Sequence, residues 1–465
     1  MSKLNLRWQV FLGLLGVMGG AALWHAPGFF FVFTLIWIVG RNVSRLAPED
    51  DRRFLVGLFW AGIITRLLAC TIAHIVATYF GMGYPAMYAI HGQQSYDLFG
   101  DSSVVSVQAY WIANTWSGTV NPGLLDQSRI FAGWANPMLY LYAAFYYLFG
   151  FSPLALKWVS CLIGALCGVV VYHIGRTLFS QPQVARVASL LMMFFPSTFL
   201  WSLTNLKEPP SGLLLCLILL AVFRLNKKFS WPDLGLLFIW LALLWCVRQS
   251  MLPPVVLSLS VCWLYVRCVN GWKKAATTTL AIVLLLGVLR FSHFGARLTQ
   301  VGKTALTRVG AQLISAHRGH ALRGGSNYVI YPRWVYLPEA ESGRLSKPLS
   351  LNEWACALAK GTSYFLFSPF PWCVSTVLQV ATYPEMVVWY LLIPCWVRGI
   401  IIGLRYRRQE IIFTLGMLVV LTAILSLSTG NMGTGFRHRA LVIPIFLLLS
   451  AIGLCGRPRT MPHAP

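Results

Sequence analysis

A chain of 465 residues that is 57% hydrophobic and only 11% charged, with a mean hydropathy of +0.67, is no soluble globular protein; ordinary soluble domains carry about a quarter charged residues. The formal net charge of +24 would suit nucleic acid if the chain were soluble. Here the excess sits beside long apolar runs, where Lys and Arg set orientation and meet anionic headgroups, so membrane lipids and not nucleic acid are the expected partners.

In chain order, Lys3 and Arg7 precede an apolar run to Trp24 that resembles a signal peptide. A second apolar run follows at once without a small-x-small cleavage site, so a retained span is expected. Apolar runs recur at residues 8–24, 27–40, 54–80, 152–179, 184–201, 209–223, 234–246, 252–266, 275–289, 384–404, 411–428 and 440–455. The pattern predicts an all-α polytopic integral membrane protein of about twelve transmembrane helices, read as a single membrane domain over 1–465. Most of the eleven cysteines fall in these runs as small buried hydrophobes.

Short basic loops set the orientation. Arg41, Arg45, Arg52 and Arg53, then Arg224, Lys227 and Lys228, then Arg267, Lys273 and Lys274, then Arg405, Arg407 and Arg408, and the tail residues Arg457 and Arg459 all fall on one side if the spans alternate. That side is predicted to be cytoplasmic. Two long loops, 81–151 with amphipathic helices and 290–383, are then extracytoplasmic. The external acids are Asp97, Asp101, Asp126, Glu208, Glu339, Glu341, Glu353 and Glu385, and any external carboxylate base comes from that set.

Asp97 and Asp101 stand four residues apart in the first long loop. Gly100 breaks what precedes it, and Asp101 opens a predicted amphipathic helix with Val105, Ala109, Ile112 and Trp116 along one face. Two readings of Asp101 stand side by side, a helix cap and a base facing a lipid-borne substrate. Further on, Asn205, Lys207 and Glu208 precede Pro209 and Pro210 at the outer mouth of a span. Glu208 suits the positive end of a helix there, and ionisable groups at membrane depth are also candidates for function. Near the C-terminus Gly430, Gly433 and Gly435 lead into Arg437, His438 and Arg439. Arginines on the external side of a short loop run against the charge rule, and with backbone N–H groups freed by the glycines they would cradle a phosphate. Arg248 and the basic second loop add further cations. His317 and His320 have no third ligand at a convincing spacing, so no metal site is expected.

A carboxylate, phosphate-seeking cations and access from the bilayer are what moving a sugar from a lipid phosphate requires. These residues resemble the GT-C superfamily of polyprenyl-phosphate-sugar glycosyltransferases, in the branch of the protein O-mannosyltransferases and the lipid A aminoarabinose transferase. The family's Asp, then Tyr four and Ala eight residues on, reads here Asp101, Val105 and Ala109, with the Tyr replaced. Its Pro, aromatic run, Phe-Gly and Tyr-x-x-Gly-Arg read Pro137, Phe149, Gly150, Tyr172, Gly175 and Arg176. Its later Pro and Ser-to-Lys-Glu turn read Pro196, Ser202, Lys207 and Glu208, and its closing Arg-x-Arg reads Arg437 and Arg439 before Pro444.

The resemblance implies an inverting single displacement from a polyprenyl-phosphate-sugar donor to a glycan, lipid or protein acceptor. Asp101 would be the base, with Asp97 as its rival, and Lys207 and Glu208 would shape the site. Arg437 and Arg439, with Lys207, Arg248 and His438, would bind the donor phosphate. Some relatives hold a divalent metal between acids; Asp101 lacks an adjacent second acid, so no metal or cofactor is expected. An O-antigen ligase or polymerase working through His317, Arg323 or Arg333 is an alternative, and a transporter or lipid flippase using Arg66, His74, Lys157 or His173 a weaker one. The external loops contain no Asn-x-Ser/Thr sequon, although Asn42 heads one on the other side, which points to a bacterial inner membrane with an extracytoplasmic active site.

Overall fold

The protein was analysed as a computed structural model, which describes residues 27–80, 82–85, 96–97, 100–119, 137–179, 182–269, 351–370, 372 and 377–456. The expected spans at 8–24 and 275–289, most of the second long loop, Asp126 and the tail arginines lie outside these residues. Hydropathy sets no boundary in the chain, yet packing divides it into two compact units, Met1–Gln249 and Ser250–Pro465.

In the first unit α1 (Pro27–Leu46) and α2 (Arg52–Tyr79) are followed by a two-stranded ribbon, β1 (Tyr84–Pro85) against β2 (Tyr96–Asp97), with Tyr84 opposite Asp97. Then come α3 (Gly100–Trp116), α4 (Pro137–Phe149), α5 (Pro153–Leu178), α6 (Pro182–Phe194), α7 (Pro196–Trp201), α8 (Glu208–Lys227) and α9 (Trp231–Val247). Proline begins α5, α7, α8 and α9, where its missing N–H removes no helical bond. Gly150, at φ +76°, closes α4 by donating to Tyr146 O and turns the chain into α5.

Helix α5 is the axis of this unit, packed by α2, α6 and α8. Gly175 lets α6 approach; a Cβ there would meet Ala185 Cα at 2.7 Å. Beside it, Tyr172 donates to the buried Asp51, which also accepts from Arg186 Nε at 2.8 Å. Tyr172 and Gly175 therefore tie the ends of three helices together, a packing role.

The expected continuous span at 184–201 is instead broken between α6 and α7. Pro196 has no N–H to offer the preceding turn. The freed carbonyls are taken up by side chains: Thr198 Oγ1 donates to Met192 O and Phe195 O, and Arg66 Nη2 donates to Met193 O at 2.7 Å. Arg66 is fully buried, with Nε donating to Ser202 Oγ at 3.0 Å and its guanidinium 4.9 Å from the Phe199 ring centre. A mid-span arginine that caps a broken helix meets the rule that backbone groups in lipid must be satisfied internally.

The second unit contains α10 (Leu252–Val269), α11 (Leu351–Phe367), α12 (Val377–Tyr406), α13 (Arg408–Ser428), α14 (Met432–Arg439) and α15 (Ile443–Cys455). Helices α12 and α15 touch backbone to backbone at Gly399 and Gly453, where a Cβ would stand 1.8 Å from Leu449 O and Cys395 O respectively. Small residues serve this purpose in membrane helix pairs.

Among the described residues six helices are long and apolar enough to cross a bilayer, or seven if α14 and α15, bent by 58°, make one broken span. Helices α4, α6 and α9 are apolar but shorter. The protein is an integral membrane protein.

Candidate functional site

The two acids of the first loop have different surroundings. Asp97 ends β2, so Asp97 and Asp101 do not share a helical face. Asp97 is enclosed, and its Oδ2 stands 2.9 Å from Nζ of Lys157, whose residue is 2% exposed, in the first turns of α5. Asp101 lies in the first turn of α3 and is exposed. Burial of an ion pair is tolerated when both charges are matched, and losing one partner strands the other. Asp97 thus faces Lys157 in a closed site, while Asp101 is exposed.

Helix α3 buries only part of the apolar stripe expected of it. Ala109 and Ile112 are buried, but Val105 is only partly buried and Trp116 is exposed, and the polar Ser102, Ser103 and Ser106 are buried as well. The serines dock the helix on the turn before α8. Asn205 N donates to Ser102 Oγ at 3.0 Å, Asn205 Nδ2 donates to Ser106 Oγ at 3.0 Å, and Ser106 Oγ donates to Ser102 O. On its other side α3 meets α4 through aromatic pairs, Tyr110 with Tyr146 and Trp116 with Tyr140. Burial pushes the phenols of Tyr142 and Tyr146 well above the usual tyrosine range, so both remain neutral hydroxyls.

The turn that receives α3 carries Lys207 and Glu208. Lys207 is the partly buried N-cap residue of α8, and Glu208 occupies the first turn of that helix. The Glu208 side chain, 1% exposed, has Oε1 3.0 Å from Nη1 of Arg248 at the end of α9, itself 12% exposed. The structure thus brings together two residues that the sequence placed in separate roles, and each neutralises the other. A divalent ion does not fit these acids, since Asp97 and Glu208 already face Lys157 and Arg248. Among the described residues no three His, Cys, Asp or Glu side chains gather as metal ligands.

In the second unit the glycine-rich turn expected as a phosphate cradle is largely helix. Gly433 and Gly435 lie within α14, whose N-cap Asn431 accepts from Thr434 N at 2.8 Å through Oδ1, while Gly435 N donates to Asn431 O. Those N–H groups are occupied, because a capped helix closes on itself. The three basic residues then diverge. Arg439, 1% exposed, donates through Nη1 to Leu366 O and Ser368 O, both at 3.0 Å, and lies 3.9 Å from Glu385. Phe436 and Trp389 cover its guanidinium. Its bonds are spent on joining α11, α12 and α14. Arg437 and His438 are only partly buried, and His438 Nδ1 is 3.2 Å from Thr429 Oγ1.

The serines of α3 are a part of this arrangement that sequence reading missed, and Lys157 was named there only for the transporter alternative, without Asp97 as its partner. An ionisable residue inside an apolar run was the available signal for Lys157, and it named no partner. Serine spacing at 102 and 106 was the signal for the docking face. His317, Arg323 and Arg333 lie outside the described residues.

Comparison with protein families finds a match over residues 137–295 to the family described as dolichyl-phosphate-mannose-protein mannosyltransferase. No curated protein sequence matches the chain. Among solved structures, the chain is similar to the archaeal oligosaccharyltransferase AglB from Archaeoglobus fulgidus, solved with an inhibitory peptide and a dolichol-phosphate, at 10% identity and a TM-score of 0.42. That alignment covers 84% of this chain and 50% of the other, so the chain spans about half the length of that structure. The family match begins at Pro137 and takes in Tyr172, Gly175, Arg176, Pro196, Ser202, Lys207 and Glu208, the residues on which most of the sequence resemblance rests. Over that stretch the chain is similar to this family of membrane glycosyltransferases.

Proposed function

We propose that the protein transfers a sugar from a polyprenyl-phosphate donor to an acceptor hydroxyl or amide on the extracytoplasmic side, with inversion, and that Asp101 is the general base. The observation that carries this reading is the division of labour among the acids of the first unit. Asp97 and Glu208 are buried and matched by Lys157 and Arg248, while Asp101 stands exposed at the head of a helix held by buried serines. A base must meet the acceptor proton, and its carboxylate must face the substrate to do so.

In a single displacement the acceptor's nucleophilic atom forms a bond to the anomeric carbon as the bond from that carbon to the phosphate oxygen breaks. The acceptor proton passes to Asp101, and the polyprenyl phosphate leaves with the electron pair. Lys207, beside this turn, is proposed to stabilise the negative charge on the departing phosphate. Arg439, expected from the sequence to bind the phosphate, is not proposed for that role, since it is buried and its Nη1 donates to two carbonyls.

The test is transfer by purified protein in liposomes, supplied with a set of polyprenyl-phosphate sugars and with glycan, lipid and peptide acceptors. Release of polyprenyl phosphate coupled to a new glycosidic bond of inverted configuration is expected. Turnover only with a lipid diphosphate donor would replace this reading with a ligase or polymerase. Movement of donor across the bilayer without transfer would replace it with a flippase.

A further inference from the structure

We infer that Asn205 is a positioning residue: it clamps α3 to the turn before α8 and so fixes where Asp101 is presented. The role in turnover rests on the assignment of Asp101 as base; the clamp itself rests on geometry alone. Asn205 is fully buried and reaches α3 at two successive turns of its serine face. Its main-chain N–H donates to Ser102 Oγ, in the residue next to Asp101, and its side-chain Nδ2 donates to Ser106 Oγ, one turn further on. Two bonds one turn apart fix both the rotation and the tilt of a helix, as a single bond cannot. Nδ2 also lies 3.5 Å from Pro153 O, at the first residue of α5, the helix that carries Lys157.

The supporting turn is itself rigid. Ser202 accepts from the buried Arg66, Leu203 O faces Cys70 Sγ at 3.6 Å, and Thr204 Oγ1 donates to Trp201 O at 2.7 Å. Ser202, Thr204 and Asn205 are buried together with Leu203 and Leu206, so polar bonds add direction to the apolar packing that holds the turn. Serine docking suits a helix that carries a base. Small polar contacts allow close approach, and their directions hold an orientation that apolar contacts would let slide.

The test compares Asn205→Ala, Ser106→Ala and the double variant with the wild type, reading turnover, donor KM and amide hydrogen exchange of peptides from residues 100–116. Asn205→Ala should lower kcat about 30-fold with donor KM within about twofold, in keeping with the cost of a reactive group displaced by about an ångström. Exchange over 100–116 should quicken while α8 stays protected. The double variant should fall clearly short of the sum of the two single losses, since both remove the bond from Nδ2 to Ser106 Oγ. Wild-type kcat in Asn205→Ala, or unchanged exchange over 100–116, overturns the inference. So does a loss of protection spread equally over α5 and α8, which marks general unfolding. Should the wild type transfer no sugar at all, the assignment of Asp101 as base falls, and the clamp stands or falls on the exchange data alone.

Discussion

Helix α3 of the first unit and helix α14 of the second invite comparison, because both open with a polar, apparently functional sequence next to membrane spans. In α3 the small hydroxyls are buried and the charge is left outside: Ser102 and Ser106 bond to Asn205, and Asp101 is exposed. In α14 a charge is buried: Arg439 is sealed among carbonyls and aromatic rings, and Arg437 and His438 remain partly open. The pair teaches that an unusual charge in an apolar sequence marks a place where packing is costly, without saying whether that cost serves structure or chemistry. Only the partners decide.

The comparison can be broken at its strongest point first. Arg439→Met should destabilise the second unit by about 3 kcal/mol or more, because Glu385 and two carbonyls lose their donor in a closed site. Thermal unfolding in detergent would show it, and an unchanged midpoint would mean that Arg439 is not a structural clasp. The next largest effect falls on the buried pair of the first unit. Lys157→Met should cost about 3 kcal/mol by stranding Asp97, and adding Asp97→Asn should restore a good part of that. Additive losses in this double-mutant cycle would remove the ion pair from the argument.

A smaller change is expected at α14's open side. Arg437→Ala should cost about 0.5 kcal/mol or less, with the unfolding midpoint almost unmoved, since this residue is only partly buried. If it destabilises as much as Arg439→Met, the contrast between Arg437 and Arg439 dissolves.

Much of the fold's character was legible in the sequence, since apolar runs and prolines at helix starts are local signals. Pro153, Pro196, Pro209 and Pro444 all mark first turns in the structure. The resemblance to GT-C enzymes was legible too, because it rests on the order of short motifs along the chain. What was not legible depends on partners far apart in sequence. Lys157 and Asp97 are separated by 60 positions and nothing local joins them. Arg66 reads as an isolated charge until the break at Pro196 supplies carbonyls for it. The glycines at 433 and 435 suggested an open loop because glycine disfavours helix; capping by Asn431 and the packing of Phe436 on Arg439 outweigh that preference.

The division between an exposed acid and a buried one is tested most directly by single-turnover transfer in proteoliposomes preloaded with donor, run on Asp101→Asn and Asp97→Asn side by side. Asp101→Asn should fold, bind donor and transfer at least about a hundredfold more slowly, the usual cost of losing a general base, whereas Asp97→Asn should lose stability before it loses the chemical step. Wild-type transfer by Asp101→Asn, with the step abolished in a stably folded Asp97→Asn, would show that the buried carboxylate beside Lys157 is the one that takes the proton.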